Sequence, residues 1–129
     1  MARIEKFEDI DSWKAAREAT KLVYSVSSLG MFAKDFALCN QIRRAAVSIL
    51  SNIAEGFERD GNKEFLQFLA IAKGSCGEVR AQLYVALDQK YIDEKQFAEI
   101  SDKLAETSRL ISGFMKYLQQ SELRGNKFK

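Results

Sequence analysis

Apolar residues recur every three or four positions along almost the whole chain, and no stretch alternates with a period of two. That spacing places them on one face of a helix and argues against strands. Four segments of this kind predict four helices, at about 12–29, 35–58, 63–90 and 94–120. The inner stripe of the first is Ala15, Ala19, Leu22, Val26 and Leu29, flanked by Trp13, Ala16 and Val23. Gly30 reads as the residue that ends it. The second stripe is Ile42, Ala46, Ile49, Ile53 and Phe57, widened by Val47, Leu50 and Ala54. The third is an unbroken heptad series, Phe65, Leu69, Ala72, Cys76, Val79, Leu83 and Ala86. The fourth is Phe97, Ile100, Leu104, Thr107, Ile111, Phe114 and Leu118.

The connections between these segments are short. In "RDGN", Gly61 supplies backbone freedom and Asn62 reads as an N-cap. Asp93 and Gln96 have the spacing of a capping box. The basic C-terminal tail, 121–129, is expected to fray. Short loops make sequence neighbours antiparallel. The expected fold is therefore all-α, an antiparallel up-down-up-down four-helix bundle, with residues 1–129 forming one domain. The chain lacks proline, so nothing in it forces a break inside a long helix.

The polar positions are as patterned as the apolar ones. In "QIRRAAVSILSNIAEGFERDG", residues 41–61, a helical winding puts Gln41, Arg44, Ser48, Ser51, Asn52, Glu55 and Arg59 opposite Ile42, Ile49 and Ile53. Serine and asparagine are weak helix formers, so a solvated face would favour lysine, glutamate or glutamine instead. Short side chains suit the close approach of another helix. The third helix has a similar face, Ala70, Gly74, Gly77 and Ala81. Each interior glycine there costs about 1 kcal/mol relative to alanine. Ser48, Ser51, Asn52, Glu55, Gly74, Gly77 and Glu78 are thus expected where helices pack closely, either within the chain or between subunits.

A net charge of +2 is too mild to point to nucleic acid by itself, so the distribution of cations matters more. Lys14, Arg17 and Lys21 share one face of the first helix. Arg43 and Arg44 stand together on the second, and Lys73 and Arg80 share a face of the third. These seven are the candidate phosphate contacts; a solvated charged face is the alternative for each cluster. Arg59, Lys63 and the tail residues Arg124, Lys127 and Lys129 add further positive charge. No base-reading motif accompanies them.

The chain has no histidine, which removes the commonest general base, the usual catalytic triad and most zinc sites. Its two cysteines, Cys39 and Cys76, cannot build a four-thiolate site and read as small buried core residues. "GSCG" falls inside a helix, so it is no phosphate loop. Glu55 and Glu78 could be imagined as an acid/base pair, but ion pairing with Arg43, Arg44 or Arg80 suits them better. The expectation is a protein that is not an enzyme and uses no cofactor or metal. The N-terminus carries no apolar leader and no run of about 18 apolar residues occurs. This reads as a cytoplasmic protein with reduced thiols and no membrane partner.

"QIRRAAVSILSNIAEGFER" followed by "KEFLQFLAIAKGSCGEVRAQLYVALDQKYID" resembles the four-helix bundle protein family that includes proteins encoded in the intervening sequences of bacterial 23S ribosomal RNA genes. It is also similar to the accessory variability determinant of diversity-generating retroelements. The likeness runs from about Trp13 to Leu118. It implies an antiparallel bundle, a homopentameric ring around a channel, and association with nucleic acid or with a nucleic-acid enzyme such as a reverse transcriptase. Many relatives have proline at the position of Leu50, and Phe-Pro where this chain has Phe32-Ala33.

Together these readings favour a homo-oligomeric helical scaffold that binds structured RNA or DNA through repeated basic patches. The alternative is an adaptor that holds a partner protein without touching nucleic acid.

Overall fold

The computed structural model describes residues 4–123. Each apolar stripe is wound into a helix: α1 (Asp11–Ser27), α2 (Phe36–Phe57), α3 (Asn62–Asp88) and α4 (Glu94–Leu123). Two single-turn 3-10 segments, Phe7–Asp9 and Phe32–Lys34, precede α1 and α2. Among the described residues there is no strand. The chain is all-α.

The stripes meet in one core. All seven residues of the α3 series are buried, and so are Ile42, Ala46, Ile49 and Ile53 of α2. Along α4 the stripe is buried from Ile100 to Leu118, whereas Phe97 is only half-buried and packs on Tyr84 at 4.8 Å between ring centroids. Neighbours pack in a closed order, α1 on α2, α2 on α3, α3 on α4 and α4 on α1, with the α2–α3 pair the most extensive.

Hydrogen bonds join the helix ends. Asn62, the first residue of α3, donates through Nδ2 to the Leu118 carbonyl near the end of α4 at 3.1 Å. Tyr91, just after α3, donates to Asp35 at the start of α2 at 2.9 Å. Arg43 near the start of α2 donates to Ser27 Oγ at the end of α1 at 2.9 Å. Each of these bonds ties the start of one helix to the end of another.

Local chemistry sets most boundaries where the pattern places them. Asp35 caps α2, its Oδ1 accepting from the Leu38 N–H at 3.1 Å. Before α4, the Asp93 N–H donates to Gln96 Oε1 at 2.9 Å and the Gln96 N–H donates to Asp93 Oδ1 at 2.7 Å. That is the reciprocal capping box. Helix α2 runs without a break through Leu50. Phe32, in the α1–α2 connection, is fully buried and stacks on Tyr91 at 5.3 Å.

Several expectations are corrected. Helix α1 stops at Ser27, and Leu29, placed on its stripe, is 62% exposed. The Ser28 hydroxyl donates to the Tyr24 carbonyl at 2.7 Å, a side-chain bond that competes with continued helix. Gly30 lies beyond the helix with φ of +54°, a left-handed turn that suits glycine. Asn62 does not cap α3: Gly61 occupies that position, and the Asn62 side chain is buried against α4 instead. Val47 does not widen the α2 core but is 40% exposed; Leu38, Cys39 and Ala45 fill that role. The supposed tail at 121–129 begins inside α4, which continues to Leu123. Arg124, Lys127 and Lys129 lie outside the described residues.

Candidate nucleic-acid interface

The seven cations expected to meet phosphate do not share one surface. Lys73 and Arg80 on α3 face Arg109 and Lys116 on α4 across an open groove of about 490 Å³, with Ser108 and Ser112 between them. All four cations are exposed, and no carboxylate lines the groove. Among the described residues none of the four has an ion-pair partner within 4.0 Å. Each pair is seven residues apart, so its charges are about 10.5 Å apart along the helix axis.

The remaining cations are placed differently. Lys14 borders a neighbouring cavity between α1 and α4, which Arg109 also lines. Arg17 sits over the Trp13 ring at 5.9 Å, and Lys21 pairs with Glu18 at 3.7 Å. Arg43 and Arg44 line a third groove of about 580 Å³ with Tyr24 and the polar stripe of α2. In a ring of four helices, the α1–α2 side is opposite the α3–α4 side. Arg43 is also occupied there: it donates to Ser27 and Ser28 and lies over the Tyr24 ring at 4.7 Å.

Arg109 and Lys116 are absent from the set chosen by sequence. Their seven-residue spacing was a usable signal, since the same spacing marked Lys73 and Arg80. What pattern alone did not supply is that these two pairs face one groove. Ser75 was missed as well. It is buried on α3 and shares a 3.0 Å hydrogen bond with Ser48 Oγ. Asn52 donates to the Ser48 hydroxyl at 2.9 Å and to its carbonyl at 2.8 Å. The short polar side chains Ser48 and Asn52 therefore let α2 and α3 approach and give their polar atoms partners.

Ser51 and Glu55 point outward. Glu55 pairs with Arg59 at 2.8 Å one turn along its own helix, not with Arg43, Arg44 or Arg80 as expected. The i,i+4 spacing makes that contact local, which a cross-helix pair of exposed long side chains cannot match. Glu78 accepts from Gln82 at 3.4 Å instead of meeting an arginine. Gly74 and Gly77 are exposed, and a Cβ added at either meets nothing within 4 Å. Tight packing of that face inside one chain is therefore excluded. The glycine that does serve a close approach is Gly56, where a Cβ would stand 2.7 Å from Phe68 Cβ and 2.8 Å from Phe65 Cδ1.

Both cysteines are free and buried. Burial pushes the Cys76 thiol up to about 11, against the pull of Arg80 nearby. A raised thiol pKa means that the unfolded chain releases the proton first as pH rises. Cys76 thus contributes full stability below about pH 9 and loses it between about pH 9 and 11, by roughly 2–3 kcal/mol. Urea unfolding from pH 8 to 10.5 is expected to show a steeper decline for the wild type than for Cys76→Ala. Equal slopes would remove this account of the site.

Among the described residues, no group of three His, Cys, Asp or Glu side chains is arranged to hold a metal ion. No described helix is long and apolar enough to cross a membrane. Helix order and core define an all-α four-helix bundle protein. The sequence model of the family described as 23S rRNA-intervening sequence protein matches residues 8–113, and the chain belongs to that family. A crystal structure of a protein with unknown function from the S23 ribosomal protein family of Bacteroides thetaiotaomicron is similar, with 25% identity and a TM-score of 0.74. The match covers 81% of this chain and 98% of that one. No curated protein matches the chain.

Proposed function

We propose that this protein is a non-enzymatic, homo-oligomeric helical scaffold of the cytoplasm that takes structured RNA or DNA on its basic surface. The observation that carries the reading is the α3–α4 groove, with Lys73, Arg80, Arg109 and Lys116 on its walls and no acid among them. Four cations in one groove, none of them ion-paired among the described residues, are suited to phosphate, and a symmetric ring would multiply them. The exposed small face of α3 supports the assembly. Ala70, Gly74, Gly77 and Ala81 lie bare beside Ile71, itself 53% exposed. A second subunit can bring a helix close to such a face, and the family resemblance points to five subunits.

The test is anisotropy of a labelled RNA hairpin and a labelled DNA duplex, titrated with protein at two salt concentrations. Four phosphate contacts give a slope of about −3.6 in log K against log salt, or roughly a 10²-fold loss of affinity between 50 and 200 mM. Binding that is absent at both salts, or indifferent to salt, would overturn the reading.

A second reading has its own observation. At the α1–α2 connection Leu29, Met31 and Phe36 are 62%, 64% and 78% exposed. That apolar end suits a partner protein and supports an adaptor without nucleic-acid contact. A pull-down in which partners persist after nuclease treatment would favour it.

A further inference from the structure

The groove beside Tyr24 has a chemistry that the α3–α4 groove lacks. Both are basic and neither is lined by a carboxylate, but only the one formed by α1 and α2 has an aromatic wall. At about 580 Å³ it is in the usual range for small-molecule sites. On α2, Asn40, Arg44, Val47 and Ser51 follow one another at steps of four, three and four residues, so they form one exposed ridge along it. Tyr24 of α1 makes the other wall and is 41% exposed.

Arg43 joins the two walls as a fixed plane. Its guanidinium lies 4.7 Å from the centroid of the Tyr24 ring, its Nε donates to Ser27 Oγ at 2.9 Å, and its Nη2 donates to Ser28 Oγ at 3.2 Å. Three contacts already hold this planar group, so little of its freedom remains for a ligand to remove. None of the three neutralises its charge. Among the described residues neither Arg43 nor Arg44 has an ion-pair partner within 4.0 Å. Asn52 adds an acceptor to the same groove. Its Nδ2 is engaged with the Ser48 carbonyl and hydroxyl, and among the described residues nothing donates to its Oδ1.

We propose that this groove binds a nucleotide, either free or as one unpaired residue of a single strand. The base stacks on the platform made by Tyr24 and Arg43, and its phosphate accepts from Arg44. Asn40, Ser51 and the Asn52 Oδ1 meet the ribose and the base edge. The committed Arg43 is a poor phosphate contact but a good stacking surface, because its plane is already fixed. A base-paired residue has no free face to offer, so a duplex does not enter. The site is separate from the α3–α4 groove and does not depend on what that groove binds.

The test follows amide chemical shifts of the intact protein with AMP, adenosine and ribose 5-phosphate at millimolar concentration. AMP is expected to shift the resonances of Tyr24, Arg44 and Ser51 with one-to-one saturation. Ribose 5-phosphate lacks the base and adenosine lacks the phosphate, so each should bind about fivefold or more weakly. Tyr24→Ala should weaken AMP by about fivefold or more, and Tyr24→Phe, which keeps the ring, should restore it. Arg44→Ala should weaken AMP and leave adenosine unchanged, a split that a merely structural role would not produce. The variant Lys73→Glu/Arg80→Glu/Arg109→Glu should bind AMP as the wild type does, which separates this site from the α3–α4 groove. A single-stranded adenylate tetranucleotide identifies the source: tighter binding than AMP assigns the site to a strand, and equal or weaker binding assigns it to the free nucleotide. No AMP shifts at these residues, ribose 5-phosphate or tetraglutamate binding as tightly as AMP, or unchanged AMP affinity in Tyr24→Ala would each overturn the proposal.

Discussion

Replacing Lys73, Arg80 and Arg109 together by glutamate is expected to abolish RNA and DNA binding while leaving the helical content unchanged. The three side chains are exposed, and among the described residues none is ion-paired within 4.0 Å, so the fold loses little with them. For binding the effect is large. Three attractive phosphate contacts become three repulsive ones, a change expected to exceed about 10³-fold at moderate salt. The control carries the same change in net charge elsewhere: Lys6→Glu, Lys34→Glu and Lys95→Glu, none of which lines the α3–α4 groove. If both triple variants lose affinity equally, net charge governs binding and the groove has no special part. If Arg44→Glu alone matches the groove variant, the contact is on the α1–α2 side instead. Circular dichroism of every variant separates lost binding from lost structure.

The second large effect is a contrast of sign among glycines. Gly56→Ala puts a Cβ at 2.7 Å from Phe68 Cβ, an atom fixed to the α3 backbone that cannot swing aside. Helices α2 and α3 must separate, which costs about 1–3 kcal/mol by overpacking, partly offset by about 1 kcal/mol of helix propensity. A bulkier Gly56→Leu gains no further offset and is expected to lose more. The Gly74→Ala/Gly77→Ala pair goes the other way within one chain. Both sites are open, so the two alanines together should stabilise the isolated chain by about 2 kcal/mol. If that face receives a second subunit closely, the same change weakens assembly. Thermal melts and analytical ultracentrifugation together decide. A double variant that melts higher and keeps the wild-type sedimentation would remove the α3 face from the interface. A wild type that sediments as a monomer would remove the oligomeric scaffold altogether.

Legibility differed by feature. The α3 stripe was readable residue by residue, because seven apolar positions at helical spacing leave one face to bury. The Asp93–Gln96 box was readable because its geometry is local to three residues. Asn62 was misread for the converse reason. Its type suits an N-cap, but its amide found a carbonyl on α4, 56 residues away in sequence. Glu55 was misread although the signal was local: Arg59 stands four residues on along the same helical face, and that i,i+4 spacing outweighed the arginines of other turns and helices. The small-residue pattern was read as one property although it comprises two. Ser48 meets Ser75 inside the chain and holds Asn52, whereas Gly74 and Gly77 face outward.

By itself the sequence determined what depends on periodicity and near neighbours: four helices, most of their buried faces, the capping box at Asp93, and the absence of histidine chemistry. Family membership was legible in the same way, from an ordered motif along α2 and α3. The tertiary structure alone decided what depends on which faces meet. It gathered Lys73, Arg80, Arg109 and Lys116 into one groove and set Arg43 and Arg44 on the other side. The physical reason is range. Helical periodicity and capping act over three to seven residues, whereas a groove is made by side chains whose separation in sequence carries no period at all.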